Sequence, residues 1–251
     1  MTISHFKHRI INLVAATALL TPLVMTAGVQ AVPKSGADST NATSQAATEA
    51  THLANIKTRG SAEIDRRLTA LNGLITKISS ATKLSAASRA SLVSEVNTEI
   101  TDLTALRVKL NAETTISAAA ADVTSMVTEY RVYALIMPKV ALVKTADDQL
   151  AAEAKLTALA TKISTRLTQA QTAGKNVATL SVMLTDMQAK VAAAQTISTK
   201  VETSVLALLP TDYDTNHSVL GGYRDQLKTA HADNQAAYND AKTIITDLKT
   251  L

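Results

Sequence analysis

From about residue 51 to the C-terminus, apolar residues recur at steps of three and four, the spacing that places them on one face of an α-helix. The first such segment carries Leu53, Ile56, Ile64, Leu68, Leu71, Ile75 and Ile78, with Gly60 at the skipped position. A second runs Leu92, Val96, Ile100, Leu103, Leu106 and Leu110, and a third Ile116, Ala120, Val123, Val127, Tyr130, Ala134 and Met137. A fourth has Leu150, Leu156, Leu159, Ile163, Leu167 and Ala170. The last two alternate three and four most regularly, from Val177 to Leu208 with Ser198 at a polar place, and from Leu220 to Leu251 with Asn234 at another. Sustained alternation of this kind marks a coiled-coil-like seam, in which a polar residue such as Asn234 fixes register. The pattern predicts an all-α fold, an elongated antiparallel helical bundle of coiled-coil-like hairpins with about five or six helices.

The breaks between segments agree with it. Ser79–Ser85 ends the first helix and supplies Ser85 or Thr82 as a cap for the next. Ala173-Gly174-Lys175-Asn176 reads as a tight helix–helix turn with glycine just past a C-terminus. Pro210–Ser218 is a polar turn with Ser218 as an N-cap, and Thr145-Ala146-Asp147-Asp148 resembles a capping box that restarts a helix after Pro138. The sequence leaves open whether the second and third helices are continuous through Asn111–Ile116. Arg67-Leu68-Thr69-Ala70-Leu71 also matches Lys155-Leu156-Thr157-Ala158-Leu159 at an offset of 88 residues. This suggests two related hairpins, near residues 55–110 and 145–209, followed by a C-terminal helix over 218–250.

The N-terminal segment has a different pattern. His5, Lys7, His8 and Arg9 precede an uncharged apolar run from Ile10 to Met25, and small residues follow, with Val29 and Ala31 at the places a signal peptidase reads. Residues 1–31 are therefore expected to be a signal peptide, cleaved near Ala31, leaving a secreted or cell-surface protein. The alternative is an uncleaved N-terminal membrane anchor, since Ile10–Val29 is long enough to cross a bilayer. Residues 32–50, small, polar and aperiodic, are expected to form a flexible linker, and residues 51–251 the helical bundle.

Composition narrows the class. Hydrophobic residues make up 46% of the 251-residue chain, yet it has one Phe, five Tyr and no Trp. Counting along the chain gives 44 Ala and 36 Thr, against seven Gly and four Pro, too few breakers for a strand-rich fold. No cysteine is present, which removes disulfides, thiolate metal sites and thiol nucleophiles. Of the net charge of +4, Lys7 and Arg9 contribute two, leaving 23 basic against 21 acidic residues, or +2, in the remainder. Without a clustered basic face and aromatic platforms, nucleic acid is not expected as a partner.

Candidate chemistry is sparse. His52, His217 and His231 have no second histidine or carboxylate at ligand spacing, and none of the catalytic motifs sought is present, so no enzymatic activity, cofactor or metal is expected. Asp212-Tyr213-Asp214-Thr215-Asn216 copies the start of a calcium loop, but His217 replaces the required Gly and Tyr223 the bidentate Glu. It reads as a turn in which Asp212 or Asp214 accepts backbone N–H groups. Val132–Val143 is the most hydrophobic stretch after the N-terminal segment, twelve residues carrying Pro138 and Lys139. At that length it cannot span a bilayer, and a segment apolar on all sides is normally buried where helices meet. A membrane or partner contact through Tyr133, Leu135, Ile136, Met137, Val140 and Leu142 is the competing expectation.

Two phrases carry a likeness: Glu129-Tyr130-Arg131-Val132-Tyr133-Ala134-Leu135-Ile136-Met137-Pro138-Lys139, and Tyr213-Asp214 through Tyr223-Arg224-Asp225-Gln226-Leu227-Lys228-Thr229-Ala230 to Asp240–Ile245. In them the chain resembles uncharacterised exported helical proteins of the ultra-small candidate-phyla bacteria, over roughly residues 55–250. The resemblance implies export and a helical build and brings no activity or site. The expected role is that of an exported structural or protein-interaction protein, a surface or spacer element that pairs with itself or with an unknown protein partner. The alternative is a membrane- or lipid-active helical protein using residues 132–143.

Overall fold

The computed structural model describes residues 37–251, and among them there is no strand. Seven α-helices follow in order: α1 Ala37–Ser80, α2 Ala86–Ala112, α3 Ile116–Thr128, α4 Met137–Thr172, α5 Ala178–Leu206, α6 Pro210–Thr215 and α7 Val219–Leu248. A single π-helical turn, Val132–Ile136, leads into α4. The all-α expectation therefore holds. The signal-peptide segment 1–31 and residues 32–36 lie outside the described residues.

Threonine is a poor helix former, yet it is spread through these helices. It is tolerated because its Oγ1 donates to the carbonyl four residues back, as at Thr157, Thr161, Thr165, Thr168 and Thr172 along α4. The same bond from Thr48 to Ser44 and from Thr51 to Ala47 carries α1 through the stretch assigned above to a flexible linker. That expectation is corrected from Ala37 onward. The alanine content sustains a helix there, although residues 42–50 are all exposed and bury no core.

The hairpin turns form where expected. Ser85 caps α2 by accepting the Ser88 N–H at 3.0 Å, and Gly174 ends α4 at φ +78°, a left-handed conformation open to glycine without strain. Arg89 braces the α1–α2 turn by donating to the carbonyls of Ile78, Ser79, Ala81 and Leu84. α2 and α3 are separate helices, with Thr115 capping α3 through the Ala118 N–H at 3.2 Å. Ser218 sits at the N-cap of α7, but its hydroxyl bonds Asn216 rather than the helix.

Two expectations about the middle of the chain change. Helix α4 does not restart at Thr145. It begins at Met137, with Pro138 in its first turn, where its missing N–H is not needed. The π turn spends its wider bonds just ahead of the ring, as Ile136 N donates to Arg131 O at 3.2 Å. Thr145 is mid-helix and bonds Ala141 O, while Asp147 accepts the Ser85 N–H at 3.0 Å, tying α4 to the first hairpin turn. The buried face of α3 is Ala119, Asp122 and Met126, whereas Ile116 and Val127 are exposed. A charged residue, Asp122, holds a core place because Lys109 reaches it from α2, and this shifted the apparent stripe.

The seam of α4 is longer than its apolar residues suggest. Leu135, Lys139, Leu142, Ala146, Gln149, Glu153, Leu156, Ala160, Ile163 and Leu167 alternate in steps of four and three, and all are buried. Lys139, 2% exposed, extends its ammonium to Glu95 of α2 at 2.7 Å and to the carbonyl of Leu208 at 3.0 Å. On α5 every predicted seam place from Val177 to Leu208 is buried, Ser198 included.

Candidate functional site

Helices α4, α5 and α7 pack as a three-helix unit whose core is in two parts. One part holds Val140–Ala146 of α4, Val201 and Val205 of α5, and Leu220 and Leu227 of α7, and continues into α1–α3. The other holds Leu156–Leu167, Leu180–Val191 and Ala237–Ile244. Between them lies a polar layer with one member from each helix: Glu153, Ser198 and Asn234, with Gln149 one turn away on α4. Ser198 Oγ donates to Glu153 Oε1 at 2.8 Å, and Asn234 Nδ2 donates to the same oxygen at 3.1 Å. Gln149 Nε2 donates to the carbonyl of Leu227 at 2.9 Å. Glu153 Oε2, Asn234 Oδ1 and Gln149 Oε1 are buried and receive no donor. Three acceptors without donors in one layer are a departure from the usual satisfaction of buried polar groups.

Because Gln149 meets Leu227 and Glu153 meets Asn234, α4 and α7 run parallel. The seam between them is not closed on its outer side. A groove of about 1190 Å³ runs along it, lined on α4 from Pro138 to Leu159 and on α7 from Arg224 to Asn239. At about 1.5 Å rise per residue, the α4 wall is about 32 Å long and the α7 wall about 22 Å. The bed is apolar: Ala141, Leu142, Ala152, Leu156, Leu159 and Leu227. Gln149 and Asn234 form its polar floor, so the layer that divides the two cores meets the groove. The rim carries Lys155, Arg224, Lys228 and His231 against Asp148. Asp148 is paired with Lys144 at 2.7 Å and Lys228 with Asp225 at 2.8 Å. Lys155 and Arg224 are in no ion pair among the described residues. Tyr238, 58% exposed, stands at the same rim.

The residues singled out for membrane or partner contact are placed mostly inward. Leu135, Ile136, Val140 and Leu142 are buried and Met137 partly so, as a segment apolar on all sides requires. Tyr133 alone is exposed, at 47%, with the Arg67 guanidinium 5.2 Å from its ring centre. Leu142 also lines the groove, so the apolar stretch contributes to a surface feature through its C-terminal end. No helix among the described residues is long and apolar enough to cross a membrane.

Other charge pairs tie neighbouring elements or successive turns of one helix. Arg131, at φ +46°, pairs with Asp214 at 2.6 Å and lies over the Tyr213 ring, fixing the π turn to α6. Asp212 accepts the Leu209 N–H at 2.8 Å, the turn role expected of it, so both carboxylates of the calcium-like string are engaged. Burial pushes the Glu63 carboxyl up, but hydrogen bonds and charges from Arg67 and Arg66 outweigh it and hold the group below the ordinary carboxylate value. The Asp122 hydrogen bond raises Lys109. No group of three or more histidine, aspartate or glutamate side chains suited to a metal ion is found among the described residues. Sequence reasoning missed Gln149, Glu153 and the groove that Gln149 lines. Their seam spacing was the available signal. No protein-family model, curated protein or solved structure matches the chain.

Proposed function

We propose that this is an exported helical protein that works by binding other proteins at the cell surface, and that it performs no catalysis. The observation that carries the reading is the open groove between α4 and α7. It encloses about 1190 Å³, its bed is apolar, and its ionisable groups lie along the rim. Such a groove between two parallel helices accepts a third helix laid along it, an interaction anchored by apolar residues at helical spacing. Export is supported by the basic, apolar and small-residue order of residues 1–31. The resemblance to exported helical proteins points the same way. A lipid-active role through residues 132–143 is disfavoured because their side chains would have to leave the core.

The absence of cysteine allows one experiment to test both parts of the proposal. Gln235→Cys places a thiol in the groove, and Val182→Cys places one at a position 71% exposed on α5. Intact host cells are treated with a membrane-impermeant bifunctional maleimide. Both variants are expected to be labelled, and only Gln235→Cys to give a discrete larger adduct. Labelling only after lysis contradicts export, and adducts from Val182→Cys alone, or equally from both variants, contradict the groove.

A further inference from the structure

We infer that the occupant of the α4–α7 groove is an acidic amphipathic helix, its apolar stripe on the bed of the groove and its carboxylates at the rim. The inference rests on the reading of the groove as a docking surface and specifies its partner. Two independent features of the groove determine the chemistry. The first is the rim. Lys155 and Arg224, on opposite walls, are exposed and in no ion pair, and His231 and Lys228 lie on the same α7 wall. Asp148 is already matched by Lys144. An entering helix with carboxylates flanking its apolar stripe meets unpaired cations on both sides, whereas a basic helix meets like charge. A second copy of this chain docked groove to groove would bring Lys155 and Arg224 against their own kind, so self-association through this face is disfavoured.

The second feature is the bed, formed by Ala141, Leu142, Ala152, Leu156, Leu159 and Leu227. An apolar stripe at helical spacing covers it. Gln149 and Asn234 donate amide N–H groups inward, to Leu227 O and Glu153 Oε1, and their own oxygens are buried, out of the occupant's reach. The α7 wall is about 22 Å long, which corresponds to about four helical turns of partner.

The test uses the full chain and two synthetic helical peptides of about 20 residues, each with a leucine stripe, the first flanked by Glu and the second by Lys. Binding is measured by fluorescence anisotropy at low and high salt. The first peptide is expected to bind at least about ten-fold more tightly than the second, with the difference shrinking as salt rises. The double variant Lys155→Glu, Arg224→Glu changes only exposed residues and is expected to reverse the preference. Equal binding, or preference for the Lys-flanked peptide, overturns the acidic partner. In that case, loss of binding on filling the groove with Gln235→Trp leaves the groove reading standing. Failure of both peptides to bind overturns the groove reading and the inference together.

Discussion

Replacing Glu153 by Gln is expected to stabilise this protein, although it alters a buried side chain that accepts two hydrogen bonds. Glu153 is 1% exposed and sits between two apolar cores. Its Oε1 takes both available donors, Ser198 Oγ at 2.8 Å and Asn234 Nδ2 at 3.1 Å, and its Oε2 takes none. Gln keeps the shape and an oxygen for those donors. In place of the orphaned oxygen it puts an NH₂ beside Asn234, whose Oδ1 also lacks a donor. An unsatisfied buried polar atom costs about 1–3 kcal/mol, so relieving one or both favours the folded state by at least about 1 kcal/mol. Glu153→Ala does the opposite. It strands the Ser198 hydroxyl and the Asn234 amide and opens a cavity, for a loss of about 2–4 kcal/mol. Urea unfolding followed by circular dichroism reads both. With a slope of about 2 kcal/mol per molar, the midpoint rises by about 0.5 M for Gln and falls by about 1–2 M for Ala. A Gln variant less stable than the parent by about 1 kcal/mol would refute the reasoning, because it would mean Oε2 has a partner that only a carboxyl group can hold.

Other consequences follow from particular contacts. A Cβ added at Gly60 would lie 2.6 Å from Leu110 Cδ2 and 2.8 Å from Val123 Cγ2, whereas one at Gly73 meets nothing within 4 Å. Thermal melts should show Gly73→Ala stabilised by about 0.5–1 kcal/mol from helix propensity, and Gly60→Ala destabilised by about 1–2 kcal/mol once overpacking outweighs that gain. Arg89→Lys should lose most of what Arg89→Ala loses, about 2 kcal/mol, because a single ammonium cannot serve four carbonyls spread over the α1–α2 turn. The depressed Glu63 carboxyl contributes stability that is present above its unfolded value and lost as pH falls through its folded one. In acid-unfolding titrations Glu63→Gln should therefore flatten the loss of stability in that acid range and leave the slope near neutrality unchanged.

The helical build was legible because seams are periodic. On α5 each predicted place, from Val177 to Leu208, is buried. Legibility failed where a polar residue occupies a core place. Asp122 is buried against Lys109, so the stripe of α3 reads one position out of register. Lys139, Gln149 and Glu153 continue the α4 seam, but a search for apolar residues passes over them and starts the helix too late. Ser198 and Asn234 were recognised as seam places, yet their common partner is 45 and 81 residues away in sequence, a distance no local pattern bridges. The groove depends on how loosely α4 meets α7, which is set by the whole three-helix packing. The linker expectation overweighted polarity: Thr and Ala hold the helix through residues 42–50, all of them exposed.

The most direct test of the binding account is amide hydrogen exchange on the full chain, with and without the Glu-flanked peptide. Added protection confined to residues 138–159 of α4 and 224–239 of α7, the two walls of the groove, is the predicted result. Protection centred on α1 and α2, or spread evenly over the bundle, would contradict it.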